Sequence, residues 1–476
     1  MIGIDPIKIR NRRRFRRGAY LPLILLVSAL FLAYGVALAK LSFSNTKITD
    51  LHNKKITSMS LAEAGVNYYV WHLAHNNSDY CDGVLDDADP GNDSKCPAPA
   101  GPGENGPFSR DYKDAEGRVL GTYTLHITPP GSGGTVATVR STGKVAGFGP
   151  RRTIVAKVGK PSLAKYTLLV NGTQYWHQSG QRINGNVFIN NSGIRNDGEI
   201  TGDTYSTEET YDSWWGQSPG VWGEGIFGGI REFPTTPIDF ADVDAKMAVI
   251  YGNARDNGVG QYYDPSGEDG YHLVLRENDY ELYVVNSSDN STLDIGKQAD
   301  GLPDQSPLGV GVFNYPDQGV IVFSDDVWVE GQVRDKKLTI LAADYNVRGA
   351  GRRKNIMIPA DISYAYTDGR DKIGLLAQQN ILVTAGADSD LEINAAMIAQ
   401  SGEIKINPYG VIKERIKIYG SMAHNTGMAW TYTSPMGEVV SGFRTVELII
   451  DNSNITYPPP FFPVTDSYQI LSWREE

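Results

Sequence analysis

Charge is missing from a long stretch of this 476-residue chain: no Asp, Glu, Lys or Arg occurs between Ala19 and Ala39. A helix over those residues would span about 30 Å, one hydrocarbon core. That argues against a buried helix of a soluble domain, because core helices are rarely apolar all round for so many turns. A secretion signal has a shorter apolar region, about 7–15 residues, although Ala37-Leu38-Ala39 has the small-x-small form of a cleavage site. Cations gather just before the run: Lys8, Arg10, Arg12, Arg13, Arg14, Arg16 and Arg17, against Asp5 alone. Positive flanks stay in the cytoplasm, so a single-pass protein with a cytoplasmic N-terminus is expected, and the bulk of the chain lies outside. The leader carries about +6 of a net charge of −11, leaving about −17 for the rest. Such an acidic exterior excludes nucleic acid as a partner, since phosphate binding needs clustered Lys and Arg.

Cysteine is nearly absent too. Cys81 and Cys96 are the only two, and an extracytoplasmic location permits a disulfide between them, worth about 3 kcal/mol for a loop of that length. Two thiolates without a nearby histidine pair do not complete a zinc tetrahedron. The carboxylates between them, Asp82, Asp86, Asp87, Asp89 and Asp93, lack the spacing and the later glutamate of an EF-hand loop, so a solvated turn is expected rather than calcium. No Ser-His-Asp order, zinc-helix motif or phosphate loop is present. No metal, cofactor or catalytic residue is therefore assigned.

No proline interrupts residues 23–89. Beyond the apolar run, Ile48, Leu51, Ile56, Met59, Ala62, Val66, Tyr69, Val70 and Leu73 recur mostly at three to five residues, with Lys47, Asp50, Lys54, Lys55 and Glu63 between them. The spacing predicts one helix over 19–75, about 85 Å long, first lipid-soluble and then amphipathic. A basic leader ending in Gly18, an apolar helix starting at Ala19 and this continuation together resemble a type IV pilin or pseudopilin. The segment "SLAEAGVNYYVWHL", residues 60–73, is similar to the A-x-x-A-E-A-G-x-N segment of PilX-like minor pilins. The resemblance implies cleavage by a prepilin peptidase between Gly18 and Ala19. It also implies partners in membrane lipid and in other pilin or minor pilin subunits that contact the helix. One departure is informative. Major pilins carry a glutamate at the fifth mature position, which here is Leu23. That fits a minor, priming or tip subunit better than a filament body.

Residues 76–160 are expected to hold the disulfide loop and a small antiparallel sheet. Three alternating Thr- and Val-rich runs, 121–130, 135–145 and 151–159, would form a meander on the distal helix. From Pro161 to Glu476 the texture changes to short apolar runs separated by Gly, Asn and Asp. "INGNVFINNSGIRNDGEITGDTYS", residues 183–206, repeats a glycine-led element at Gly185, Gly193 and Gly198. No long helices intervene, so a parallel sheet must be wound as a solenoid. A right-handed β-helix is preferred over a sandwich on the small inward residues of "LEINAAMIAQSGEI" and on asparagine at turns. The runs after 318 and the ending "NITYPPPFFPVTDSYQILSWREE" resemble the C-terminal domain found with PilX-like N-termini. The stretch 204–318 is read as an insertion, with a helix over "DFADVDAKMAVIYGNARDNG", and the Pro-rich end as a cap laying Trp473 across the solenoid.

The fold class is therefore mainly β, with a long N-terminal helix, a small antiparallel sheet and a large solenoid. The function expected is a minor pilin-like surface protein acting in pilus assembly, tip presentation or cell adhesion. The rival is a membrane-anchored β-helix enzyme or binding protein for polysaccharide, for which Asp325, Asp326, Asp344, Asp388 and Asp390 are the acids at hand; their turn positions have a backbone explanation. Trp214, Trp215 and Trp222 cluster in the insertion. If exposed they could contact a surface glycan; the preferred reading has them packing the insertion onto the solenoid.

Overall fold

The computed structural model describes residues 20–76, 79–81, 103–130, 135–147, 149–285, 305–346, 353–406, 410–434 and 438–476. Gly18, Ala19 and Cys96 lie outside these residues, as do the carboxylates between the cysteines. Cys81 is disulfide-bonded.

The first element is a single helix, α1, Tyr20–His75. Its large apolar side chains from Leu21 to Ile56 are exposed. It includes a stretch long and apolar enough to cross a membrane. From Ser58 onward the helix acquires a buried face, with Leu61, Ala62, Val66, Tyr69 and Leu73 all covered. The cover is an antiparallel sheet of β1 (Asn105–Lys113), β2 (Val119–Thr128), β3 (Val136–Val145) and β4 (Arg151–Gly159). Leu125, Ile127, Val139, Ile154, Ala156 and Val158 form the facing side. Glycine permits the close approach. A Cβ built on Gly143 would lie 2.0 Å from the Ser58 carbonyl oxygen, and one on Gly65 would lie 2.3 Å from Ser141 Oγ. Gly65 is the glycine of the Ala-Glu-Ala-Gly segment, so that part of the motif has a packing reason.

The last strand of this sheet comes from the far end of the chain. Gln469–Glu475 pairs antiparallel with β4, Gln469 opposite Gly159 and Glu475 opposite Ile154. The expected cap over the solenoid is thus corrected: Trp473 sits on the edge of the small sheet and is exposed. A strand edge offers unpaired backbone groups, and the terminal residues satisfy those of β4.

The remainder is a parallel solenoid whose coils present strands to three faces. On one face the strands stack in a non-sequential order: Gln261–Tyr263, Val320–Phe323, Lys337–Ala342, Lys372–Ala377, the ends of Asp390–Ala399 and Ile412–His424, then Leu168–Asn171, Val187–Asn190, Thr204–Ser206 and Arg231–Glu232. The coil that comes late in the chain lies beside the first one, with Met422, Ala423 and His424 opposite Leu168, Leu169 and Val170. An asparagine ladder crosses the junction. Asn171 donates to Asn425 at 2.5 Å, and Asn190 donates to Asn171 at 2.6 Å. The chain thus enters the stack in its middle, winds out to one end at Glu232, and resumes at the other end at Gln261.

The link between the two ends is α2, Phe240–Asn257, capped by the Asp239 side chain and closed by Gly258 in the left-handed conformation. Ten stacked strands span about 43 Å, and eighteen helical residues cover about 27 Å of it. Val243, Met247, Ile250, Tyr251 and Ala254 lie on Leu169, Val320, Val322, Leu341, Leu376 and Ile398. The alternate residues Ile321, Phe323, Ile340 and Leu375 fill the solenoid interior. These strands are buried on both faces, which is why they read as continuous apolar runs rather than alternations.

The stretch 204–318, expected to be an insertion, contributes coils of its own. Thr204–Ser206, Ile226–Phe227 and Arg231–Glu232 are parallel strands of one end, and Gln261–Tyr263 and Gly270–Leu275 of the other. Their strands of two or three residues at that first end carry too little periodicity to register as repeats.

Entry and exit share one neck. Leu163 N donates to Pro463 O at 3.1 Å, Thr465 N donates to Pro161 O at 2.8 Å, and Ser162 bridges Val464. Lys157 of β4 lies 3.8 Å from the ring centroid of Tyr457, which ties sheet and neck together.

One buried group makes stability depend on pH. His424 is fully buried, neither ring nitrogen has a hydrogen-bond partner among the described residues, and burial pushes its pKa down to about 3. The unfolded chain takes up this proton near pH 6.5 and the folded chain does not. The stability is therefore complete above about 6.5 and falls with pH below it. Between pH 7 and 5 the loss from this group is about 2 kcal/mol. Urea titrations at the two pH values should show it, and His424→Leu should remove that share; an unchanged pH dependence in the variant would contradict the assignment.

Candidate functional site

Two surfaces stand out. The first is the bare portion of α1. From Leu21 to Ile56 it offers exposed Leu, Ile, Val and Phe side chains on all sides, then on one stripe. Leu23 is exposed among them. Thr46, Thr49 and Thr57 each donate to the carbonyl four residues earlier, which satisfies their hydroxyls within the helix.

The second lies near the Glu232 end of the solenoid. Three short parallel strands stack there: Tyr175–His177, Ile194–Asn196 and Val221–Trp222. Their register sets Trp176 opposite Arg195, and Arg195 opposite Trp222. Ile194 and Val221 point into the core, so their neighbours Arg195 and Trp222 face outward. The result is a Trp–Arg–Trp row across three coils. A hairpin, Thr210–Ser213 with Gly216–Pro219, reaches over the row and turns at Trp214 and Trp215.

The Trp215 ring stands edge-on to Trp176 at 5.5 Å, to Trp222 at 5.7 Å and to Trp214 at 5.8 Å. The Arg195 guanidinium lies 4.3 Å from the centroid of Trp215 and 5.0 Å from that of Trp222. Arg195 Nε is 2.7 Å from Asp197 Oδ2. Trp176 Nε1 donates to the same carboxylate at 2.9 Å, and Trp222 Nε1 donates to Tyr211 Oη at 3.0 Å. Partial burial would raise the Asp197 pKa, but the hydrogen bonds from Trp176 and Arg195 outweigh it and hold the carboxyl below its ordinary range. The turn is fixed from below: Trp214 N donates to Gln174 Oε1 at 3.2 Å, and Trp215 N to Ser213 Oγ at 3.1 Å. Despite these ties Trp214 is 65% exposed, Trp215 47% and Trp176 37%.

The structure brings Trp214, Trp215 and Trp222 together. Trp222 is half-buried and does pack on the solenoid, whereas Trp214 and Trp215 remain open to solvent. Trp176 and Arg195 escaped the sequence reading. They stand well before the hairpin in the chain, and only the parallel register aligns them.

Of the acids of the enzymatic rival, Asp388 is exposed, and the other four are engaged in local structure. Asp325 accepts from Ser266 N at 2.9 Å, Ser266 Oγ at 2.7 Å and Lys354 Nζ at 2.9 Å. Asp326 accepts from Asn355 N at 2.6 Å, and burial pushes its pKa up to about 6. Asp344 accepts from Asn346 N and Asp390 pairs with Arg415. No group of His, Cys, Asp and Glu suited to a metal ion occurs among the described residues.

No protein-family model matches the chain, and no curated protein matches it. Among solved structures it aligns with the competence-associated pilin ComZ from Thermus thermophilus. The TM-score is 0.30 and the identity 12%, over 89% of this chain and 97% of that one. So loose an overlay decides neither fold nor function.

Proposed function

We propose that the chain is a minor-pilin-like surface protein, anchored in the membrane and then in a pilus or pseudopilus through α1. The observation that carries this reading is the division of α1. One uninterrupted helix of 56 residues is bare and apolar over its first part and packed on a small antiparallel sheet over its last. A plain single-pass anchor needs no such rigid extension beyond the bilayer. A subunit that slots its helix among others, with its head resting on the distal end, does. The basic leader before Gly18 and the exposed Leu23 support the same reading. An apolar side chain at the fifth mature position cannot pair with a neighbour's buried terminal amine, which favours few copies at an end of the filament. The solenoid then serves as the displayed part, for tip presentation or adhesion.

Processing tests the proposal. The protein isolated from its native host should begin at Ala19 and be present in purified pili well below the main subunit. N-terminal sequencing decides the first point: a start at Met1 leaves a plain anchor, and a start after Ala39 means ordinary secretion.

A further inference from the structure

We infer that the Trp176–Arg195–Trp222 row and the Trp214–Trp215 turn above it form a binding platform for an uncharged glycan. The inference deepens the proposal above and rests on its placing of the solenoid at the cell surface.

Exposed aromatic rings on a soluble surface mark an interaction site when they are clustered and held in place. Here the indole N–H groups of Trp176 and Trp222 are turned inward to Asp197 and Tyr211. Trp176 thus offers solvent its ring and not its N–H, and Trp214 and Trp215 add two further exposed indoles. Rigid rings lose little entropy when a ligand settles on them.

Charge narrows the ligand. Residues 196–230 contain seven carboxylates, Asp197, Glu199, Asp203, Glu208, Glu209, Asp212 and Glu224, and no Lys or Arg. Arg195 is neutralised by Asp197. Arg182 is likewise paired with Glu199. The nearby cations Arg182 and Arg195 are thus matched by carboxylates, and a polyanion, whether nucleic acid or an anionic lipid surface, meets a net excess of negative charge here. A cationic ligand would seek an enclosure of ring faces, but Arg195 already lies within range of Trp176, Trp215 and Trp222, and Trp214 alone makes no such enclosure. An uncharged ligand with an apolar face and a hydroxyl rim remains, which is the character of a pyranose ring. Its C–H face suits the indoles, and its hydroxyls suit the surrounding carboxylates and amide. The exposed rings step from Trp176 to Trp215 at 5.5 Å and on to Trp214 at 5.8 Å, so the platform offers successive contacts that fit an extended chain better than a single sugar.

The test uses the full chain in phosphatidylcholine nanodiscs. The probes are β-1,4-linked hexaoses of glucose and of N-acetylglucosamine, dextran, and a single-stranded DNA 20-mer, read by calorimetry and tryptophan fluorescence. Binding of at least one glycan is expected, and none of the DNA. Trp214→Ala and Trp215→Ala should each weaken it about tenfold, the loss of one good ring contact. Trp473→Ala, an exposed tryptophan on the small sheet, should leave it unchanged. Trp214 is the most exposed of the cluster, so its variant reads binding even if Trp215→Ala disturbs the hairpin. Failure of all the glycans to bind, glycan binding that survives both substitutions, or binding of DNA instead would overturn the inference. Glycan binding by a protein that keeps Met1 would leave this platform standing and defeat the pilin reading alone.

Discussion

Asp451→Ala should destabilise the solenoid by about 3–5 kcal/mol, the range for stranding one member of a buried ion pair. Its partner Lys372 is fully buried at the start of the Lys372–Ala377 strand, and its ammonium is bonded to the Asp451 carboxylate and to Ser453 Oγ. Burial lowers the Lys372 pKa, and the Asp451 charge works against that fall. Without the carboxylate the ammonium has no counter-charge at hand, and the Ser453 N–H loses its 3.0 Å acceptor at the exit turn. Urea denaturation would measure the loss. Lys372→Met combined with Asp451→Asn should recover most of it, because the double change removes the charge together with its partner. A loss under about 1 kcal/mol for Asp451→Ala would mean that water reaches the pair.

Gly143→Leu should separate α1 from its sheet, at about 3 kcal/mol or more. Overpacking a core usually costs 1–3 kcal/mol because side chains give way. Here the obstacles are backbone: the Ser58 carbonyl oxygen at 2.0 Å and the Ala62 nitrogen at 2.5 Å from the added Cβ. The helix must lift, and the cover over Val66, Tyr69 and Leu73 opens with it. Limited proteolysis within residues 58–75 should become rapid in the variant. Gly149→Ala, whose Cβ would meet Val145 at an ordinary 3.6 Å, is the matched control and should behave as the wild type. Equal protease resistance in Gly143→Leu would show that the helix is not held by this contact.

The parts of the fold that were legible in the sequence are those with a long or regular pattern. α1 shows itself through missing charge and then through its apolar stripe. α2 shows itself through Asp239 and Gly258 at the ends of an apolar period. β2, β3 and β4 alternate cleanly because one face lies on α1. The two outer strands of the same sheet do not. β1 buries only Pro-flanked Phe108 and its own Gly106, and the final strand buries nothing beyond a half-covered Leu471. Their pairing is made of backbone hydrogen bonds, which leave little trace in side-chain order. The coil order was hidden for a related reason. The contact of Met422 with Leu168 joins residues far apart, and nothing local at either end announces it. The tryptophan site was half legible. The Trp214–Trp215 pair and Trp222 draw the eye, whereas Trp176 and Arg195 join them only through strand register.

The interlocked coil order also bears on synthesis. Chains emerge from the ribosome N-terminus first. The Leu168–Asn171 strand is then made long before Met422–His424, the neighbour on one of its sides. Until that neighbour arrives, one edge of the early coils stands open, and α2 has only the first few strands to lie on. The small sheet waits longer still, since β4 receives its outer partner from the final residues of the chain. Pairings between such distant segments form slowly. Completion of the head thus reports that the whole solenoid has been translated and has returned through the neck, and a chain that stops short displays a bare β4 edge.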